Sequence, residues 1–170
     1  FVKAGITKIG LHQTPYGGFS LWPGGEPETY YTAYALWGLS LARQAGYRVD
    51  QARIDDGISY LRNDGVSPDQ SRPRYNDFGN EGDQAFALYV RAVLGDKTTQ
   101  DAAKKMTADL ARLPIYGKAF LARALAVGLG AKDPAVQKLV AELAELANAA
   151  TKTDKLIQEP AERYMWSYMS

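Results

Sequence analysis

The sequence predicts an all-α fold built from helical hairpin repeats. Apolar residues recur with the 3.6-residue period through most of the chain, while strand-type alternation is nearly absent. Glycines stop the periodic runs at Gly46, Gly95 and Gly130, as helix-ending residues do. A short motif, alanine–aromatic–x–alanine or leucine, opens a run at Ala33, Ala85 and Ala119, spaced 52 and then 34 residues apart. A unit of this kind buries its apolar face only against its neighbours, which is the logic of a helical repeat.

The elements follow in order. Val2, Ile6 and Ile9 form a short apolar segment that runs into His12, the single histidine, read as a hydrogen-bonded residue at a helix end. Residues 13–28 form a loop rich in glycine, proline and aromatics. The first hairpin spans about residues 29–62. Helical spacing sets Tyr34, Trp37, Leu41 and Ala45 on one stripe with Leu36 beside it, the candidate buried face. Asp50 is the N-cap of the second helix, which carries Ile54, Ile58 and Leu61.

A polar loop of Asp, Asn, Ser, Pro, Gly and Arg covers residues 63–82. Loops of that length inside a compact domain are usually functional or disordered. The second hairpin, about 83–112, starts at Asp83 and carries Ala85, Phe86, Ala87, Leu88, Val90 and Leu94. Thr98 or Thr99 caps its second helix, with Ala102, Ala103, Met106 and Leu110 as apolar positions. The third, about 115–149, carries Phe120 and Leu121, then an Asp133-Pro134 start before Val136, Leu139, Val140, Leu143 and Leu146. Phe at position 1 and the apolar ending from Tyr164 to Ser170 read as a fragment of a longer polypeptide.

Composition narrows the chemistry. At 170 residues and 46% hydrophobic content the chain can build one core without a metal or disulfide staple. Twenty basic against nineteen acidic residues, with no block of like charge, leave no electrostatic footprint for nucleic acid. No apolar run reaches the roughly 18 residues of a membrane span. The N-terminus lacks the basic-then-apolar order of a signal peptide. With no cysteine there is no disulfide, thiolate metal site or cysteine nucleophile, and one histidine makes no two-histidine metal site. The expectation is no catalytic residue, no metal and no cofactor.

The most specific stretch is Gly17-Gly18-Phe19-Ser20-Leu21-Trp22-Pro23-Gly24-Gly25-Glu26. Its glycines permit positive φ and close backbone approach, and Phe19 and Trp22 can bury a large area. Two readings stand: a rigid loop stapling one hairpin to the next, or a recognition surface. Carboxylates gather at Glu26/Glu28, Asp55/Asp56 and Asp77/Glu81/Asp83, which could serve acid–base chemistry in an aromatic cleft. Asp55 and Asp56 beside Arg53 fit a solvated face better, and a calcium loop from Asp77 meets Gly79 where Asp or Asn is needed. Gly128-x-Gly130 finds Asp133 in place of its third glycine, and Gly18-x-Ser20 finds Trp22 where a nucleophile elbow ends in glycine.

The run from Gly17 to Glu26, with Tyr30-Tyr31-Thr32-Ala33-Tyr34-Ala35-Leu36-Trp37 and Leu41-Ala42-Arg43-Gln44-Ala45-Gly46-Tyr47, resembles the thioester domain of bacterial alpha-2-macroglobulins. Beyond Tyr47 the resemblance lies in helix pattern more than in motifs. It implies an α/α toroid, of which this chain is a partial domain. It also implies a role in a large protease trap at the periplasm or cell surface, or secreted. In that family an internal Cys–Gln thioester, in a Cys-x-Glu-Gln motif upstream of the Gly-Gly-Phe segment, is attacked by a lysine of the protease.

The implied partners are target proteases and neighbouring macroglobulin domains, with membrane anchoring only through parts outside this fragment. Tyr16, Gly17, Gly18, Phe19, Trp22, Gly24, Gly25, Glu26 and Tyr30 become candidates for a thioester cover or a domain interface. The complement-type histidine region is matched by Tyr75, Asn76 and Asp77, without a histidine, which implies amide rather than ester chemistry. The alternatives are a toroid enzyme, terpenoid cyclase or prenyltransferase-like or a glycosidase, and an interaction scaffold without a thioester.

Overall fold

In a computed structural model of the chain, residues 1–63 and 81–152 are described, and among them every regular element is helical. The helices are α1 (Val2–Leu11), α2 (Thr29–Gln44), α3 (Gln51–Arg62), α4 (Glu81–Val93), α5 (Thr99–Met106), α6 (Ile115–Leu129) and α7 (Pro134–Lys152), with a 3-10 segment, Thr107–Arg112, after α5. Helix α4 packs between α2 and α6, while α3 backs α2, α5 backs α4 and α6, and α7 backs α6. The first helices of the hairpins thus form one layer and the second helices another. The polar loop ends earlier than its composition suggests, because Glu81 and Gly82 already lie in the first turn of α4.

Local signals explain the ends. Gly46, Gly95 and Gly130 follow α2, α4 and α6 with φ of 83°, 87° and 91°, the left-handed region that glycine enters without steric cost. Asp50 caps α3 through its carboxylate to the Ala52 N–H at 3.1 Å, and Asp133 caps α7 through the Ala135 N–H at 2.9 Å. Thr98, one of the two threonines expected, holds the N-cap position of α5, but its hydroxyl makes no cap bond. That hydroxyl donates to Asp96 at 2.8 Å instead, and the Asp96 carboxylate also accepts from the Thr98 N–H at 3.0 Å.

Asp96 also accepts from Arg62 of α3 at 2.9 Å and Arg91 of α4 at 2.9 Å, so one buried carboxylate ties three helices. Burial alone raises its pKa, but the bonds from Arg62, Thr98 and Arg91 outweigh that and hold it well below the usual carboxylate range. Its stabilising contribution is therefore complete above the unfolded pKa of about 3.9 and is lost as pH falls below that value.

The core runs between the layers: Leu36 and Leu39 of α2, Ile54 and Ile58 of α3, Val90 of α4, Leu121 and Leu125 of α6, Leu139 of α7. Each such side chain contributes about 1.5–3 kcal/mol on burial. The α2 stripe is a correction. Leu36 faces the core as expected, together with Ala33 and Leu39, but Tyr34 and Leu41 are exposed and Trp37 is half-buried. Helix α2 is apolar on most of its circumference, so periodicity alone did not select the inward side. Helices α4 and α6 cross closely at two glycines, where a Cβ on Gly117 would stand 2.9 Å from the Gly82 Cα.

Candidate functional site

The loop between α1 and α2 is held by polar contacts from three helices. Two isolated antiparallel bridges, Gln13 with Phe19 and Ser20 with Pro27, fold it back on itself. Its Phe19 N–H donates to the buried Thr32 hydroxyl of α2 at 2.8 Å. Gln13 is a three-way tie: its amide N–H group donates to Gly17 and Arg53 carbonyls at 3.0 and 2.9 Å, and its oxygen accepts from the Arg53 guanidinium at 3.2 Å. Arg53 also donates to the Gly10 carbonyl of α1 at 2.8 Å, and Tyr60 to the Pro27 carbonyl at 2.8 Å. His12 ends α1 with its Nδ1 3.1 Å from the Ser20 carbonyl, the hydrogen-bonded helix-end histidine that the sequence suggests.

Sterics require the glycines here. Gly17 has φ of 88°, and a Cβ on it would stand 2.5 Å from the Asp56 carbonyl oxygen. A Cβ on Gly18 would meet the Pro27 and Tyr60 side chains at 2.7 and 2.8 Å. The loop therefore lies against the α3 backbone.

The candidate residues divide into two sets. Gly17, Gly18 and Phe19 are buried, with Phe19 only 1% exposed and part of the core. Trp22, Tyr16 and Tyr30 are 62%, 47% and 44% exposed. Gly24 and Glu26 are also exposed, and the Trp22 ring covers the half-buried Gly25. Tyr75, Asn76 and Asp77 lie outside the described residues, as does the ending from Tyr164 to Ser170. Asp55 and Asp56 sit exposed on α3. Among the described residues no group of three or more His, Asp or Glu side chains is placed to hold a metal ion.

A second cluster joins residues that the sequence reading kept apart. The aromatic positions of the three repeat motifs, Tyr34, Phe86 and Phe120, fall on neighbouring helices of the same layer. Phe86 and Phe120 meet at 4.7 Å between ring centroids, Trp37 abuts Phe86 edge-on at 6.2 Å, and Tyr30 stacks on Tyr34 at 6.1 Å. Such pairs contribute about 0.5–1.5 kcal/mol beyond their buried area. They line an open recess of about 320 Å³ with Tyr116 and the Asp83 carboxyl. Burial, and then the nearby Glu28 charge, push the Asp83 pKa up from its ordinary value. The shared position within the motif was the signal available in the sequence. Reading it required the helices to be side by side.

No known family model and no curated protein sequence matches this chain. Solved structures of bacterial alpha-2-macroglobulins do. The native Escherichia coli protein is 24% identical with a TM-score of 0.69, over 84% of this chain and 9% of that one. The Salmonella protein reacted with methylamine is 25% identical with a TM-score of 0.68, over 82% of this chain and 9% of that one. Trypsin-activated E. coli alpha-2-macroglobulin is 23% identical with a TM-score of 0.66, over 82% and 10%. The chain thus has the fold of one segment of these proteins and spans about a tenth of their length.

Proposed function

We propose that the chain is part of a macroglobulin-like protease inhibitor, a segment of toroid wall beside a thioester that lies upstream of Phe1. The observation that carries this reading is the likeness over more than four-fifths of the chain to alpha-2-macroglobulins, one reacted with methylamine and another activated by trypsin. The chain's role is structural rather than catalytic. With no cysteine of its own, it can only shape the surroundings of the acyl bond. The parent would work in the periplasm, at the cell surface or outside the cell, with proteases as targets and its own neighbouring domains as contacts. No helix among the described residues is long and apolar enough to cross a membrane.

Within that role the 13–28 loop has a division of labour. Its buried half, around Gly17 and Phe19, sets the position of the loop. Its exposed half, Tyr16 and Trp22 with Tyr30 nearby, is the apolar surface that would keep water from the thioester or dock a neighbouring domain. The deciding experiment treats the full-length parent with methylamine and counts the thiols released. One new thiol per chain, with methylamine added to a glutamine, supports the covalent trap. No release from freshly folded protein removes the thioester and leaves non-covalent trapping or scaffolding.

A further inference from the structure

We propose that a second recess, between α3, α4 and α5, is a binding site for a medium-chain aliphatic carboxylate. The proposal is independent of the thioester reading and holds whether or not the parent carries that bond.

The recess has a volume of about 410 Å³, within the usual range for small-ligand sites, about 300–1,000 Å³. Its apolar lining comes from Leu61 of α3, Ala87 and Leu88 of α4, Ala102 and Met106 of α5, and Leu113. Two cations share that lining, Arg91 of α4 and the exposed Lys105 of α5. Apolar contact area beside positive charge selects an anion with an aliphatic tail.

The decisive group is Arg91. Its side chain is 9% exposed, and its bonds use Nε, to Asp96 at 2.9 Å, and Nη2, to the Thr98 hydroxyl at 2.9 Å. Nη1 has no acceptor among the described residues. No buried side-chain nitrogen or oxygen among those residues lacks a partner, so Nη1 is an atom that solvent or a guest can reach.

Charge is unbalanced at the same place. Asp96 accepts from Nε and Nη2 of Arg62 at 3.2 and 2.9 Å besides the Arg91 bond, so two guanidinium groups share one carboxylate. One positive charge is left over, and Arg91 is the member of the pair withdrawn from water. A desolvated cation without a full counter-charge is costly, and an anion bonded to Nη1 relieves that cost.

The acidic residues on the lining set the valence of the guest. Glu81 and Asp109 both lie against Arg112, at 2.7 and 3.7 Å. A doubly charged head group would be repelled by these two carboxylates, whereas a single carboxylate matches the one charge left over beside Asp96.

The test titrates the 170-residue chain with octanoate, followed by NMR of the Leu61, Leu88 and Met106 methyl groups and of the Arg91 guanidinium nitrogens. The controls are octanamide, the neutral isostere, octylammonium, and octyl phosphate. Octanoate should saturate with a dissociation constant of about 0.1–1 mM, and the methyl and Arg91 signals should shift with one midpoint. Octanamide should bind at least about tenfold more weakly. From butanoate to octanoate, each added methylene should tighten binding about twofold to fourfold, as a tail buried on the apolar lining requires.

Two variants separate head from tail. Lys105→Met should weaken octanoate about threefold to tenfold and leave octanamide unchanged, whereas Met106→Gln should weaken both. Neither position is fully buried and both new residues favour a helix, so the variants should fold. Equal affinity for octanoate and octanamide would reduce the recess to an apolar patch and overturn the proposal. Affinity independent of chain length, tighter binding of octylammonium or octyl phosphate, absence of saturation, or unmoved Arg91 signals would overturn it as well.

Discussion

The 13–28 loop and the aromatic face shared by α2, α4 and α6 draw on the same residue types and hold them in opposite ways. In the loop the backbone is irregular, and each strained or polar point has a named partner: Thr32 for the Phe19 N–H, Gln13 for the Gly17 carbonyl, Tyr60 for Pro27. On the helices the backbone satisfies itself, and the rings need only the right register to meet across helices. Position is thus purchased by specific hydrogen bonds in one region and comes from repetition in the other. The loop should fail sharply at single atoms, while the face should lose strength gradually.

The largest effect should come from Phe19→Ala. Its side chain is 1% exposed, so truncation should cost about 3–5 kcal/mol in chemical denaturation. A loss below about 1 kcal/mol would return Phe19 to the surface reading, since surface changes stay near that range. Gly17→Ala comes next. The positive φ and the 2.5 Å approach to the Asp56 carbonyl predict a loss of about 1–3 kcal/mol. The same substitution at Gly24, which has a positive φ of 79° but open space around it, should cost less.

Thr32→Val keeps the shape and removes the hydroxyl acceptor. It should cost about 1–3 kcal/mol because the Phe19 N–H is left buried and unsatisfied. Faster hydrogen exchange at the Phe19 amide, with α6 amides unchanged, would locate that loss in the loop.

Asp83→Asn probes the helical face by its pH dependence. A raised native pKa means that ionisation costs stability, so wild-type stability should climb as pH falls through the native pKa of Asp83, down to the unfolded value of about 3.9. The variant should lack this slope and should gain stability at neutral pH by under about 1 kcal/mol. Melting curves across that pH range measure both. Smallest of all, Trp22→Ala should change stability by no more than about 0.5 kcal/mol, because the ring is 62% exposed. In the full-length parent the same change should speed spontaneous thioester hydrolysis, and an unchanged rate would remove Trp22 from the proposed cover.

What could be read in advance was local. Gly46, Gly95, Gly130, Asp50 and Asp133-Pro134 mark helix ends through their own backbone preferences, which act within a few residues. At α5 threonine is a favoured cap by type and Thr98 does hold the N-cap position, but its hydroxyl is engaged by Arg91 and Asp96 and makes no cap bond. On α2 the inward side was missed because Tyr34, Leu36, Trp37, Leu39 and Leu41 all qualify as core residues by type. In the loop, glycine and aromatic content marked the segment without separating Phe19, which turns inward, from Trp22, which does not.

The sequence by itself determined the helical period, most helix ends and the three-fold recurrence of an aromatic position, because these follow from short-range sterics and from periodicity along one chain. Only the tertiary structure decided which rings are core and which are surface, which carboxyl is stabilised and which is strained, and that Tyr34, Phe86 and Phe120 share one face. Those properties depend on what lies a few ångströms away in space, and for Phe19 and Thr32, or Arg62 and Asp96, that neighbour is many residues away along the chain.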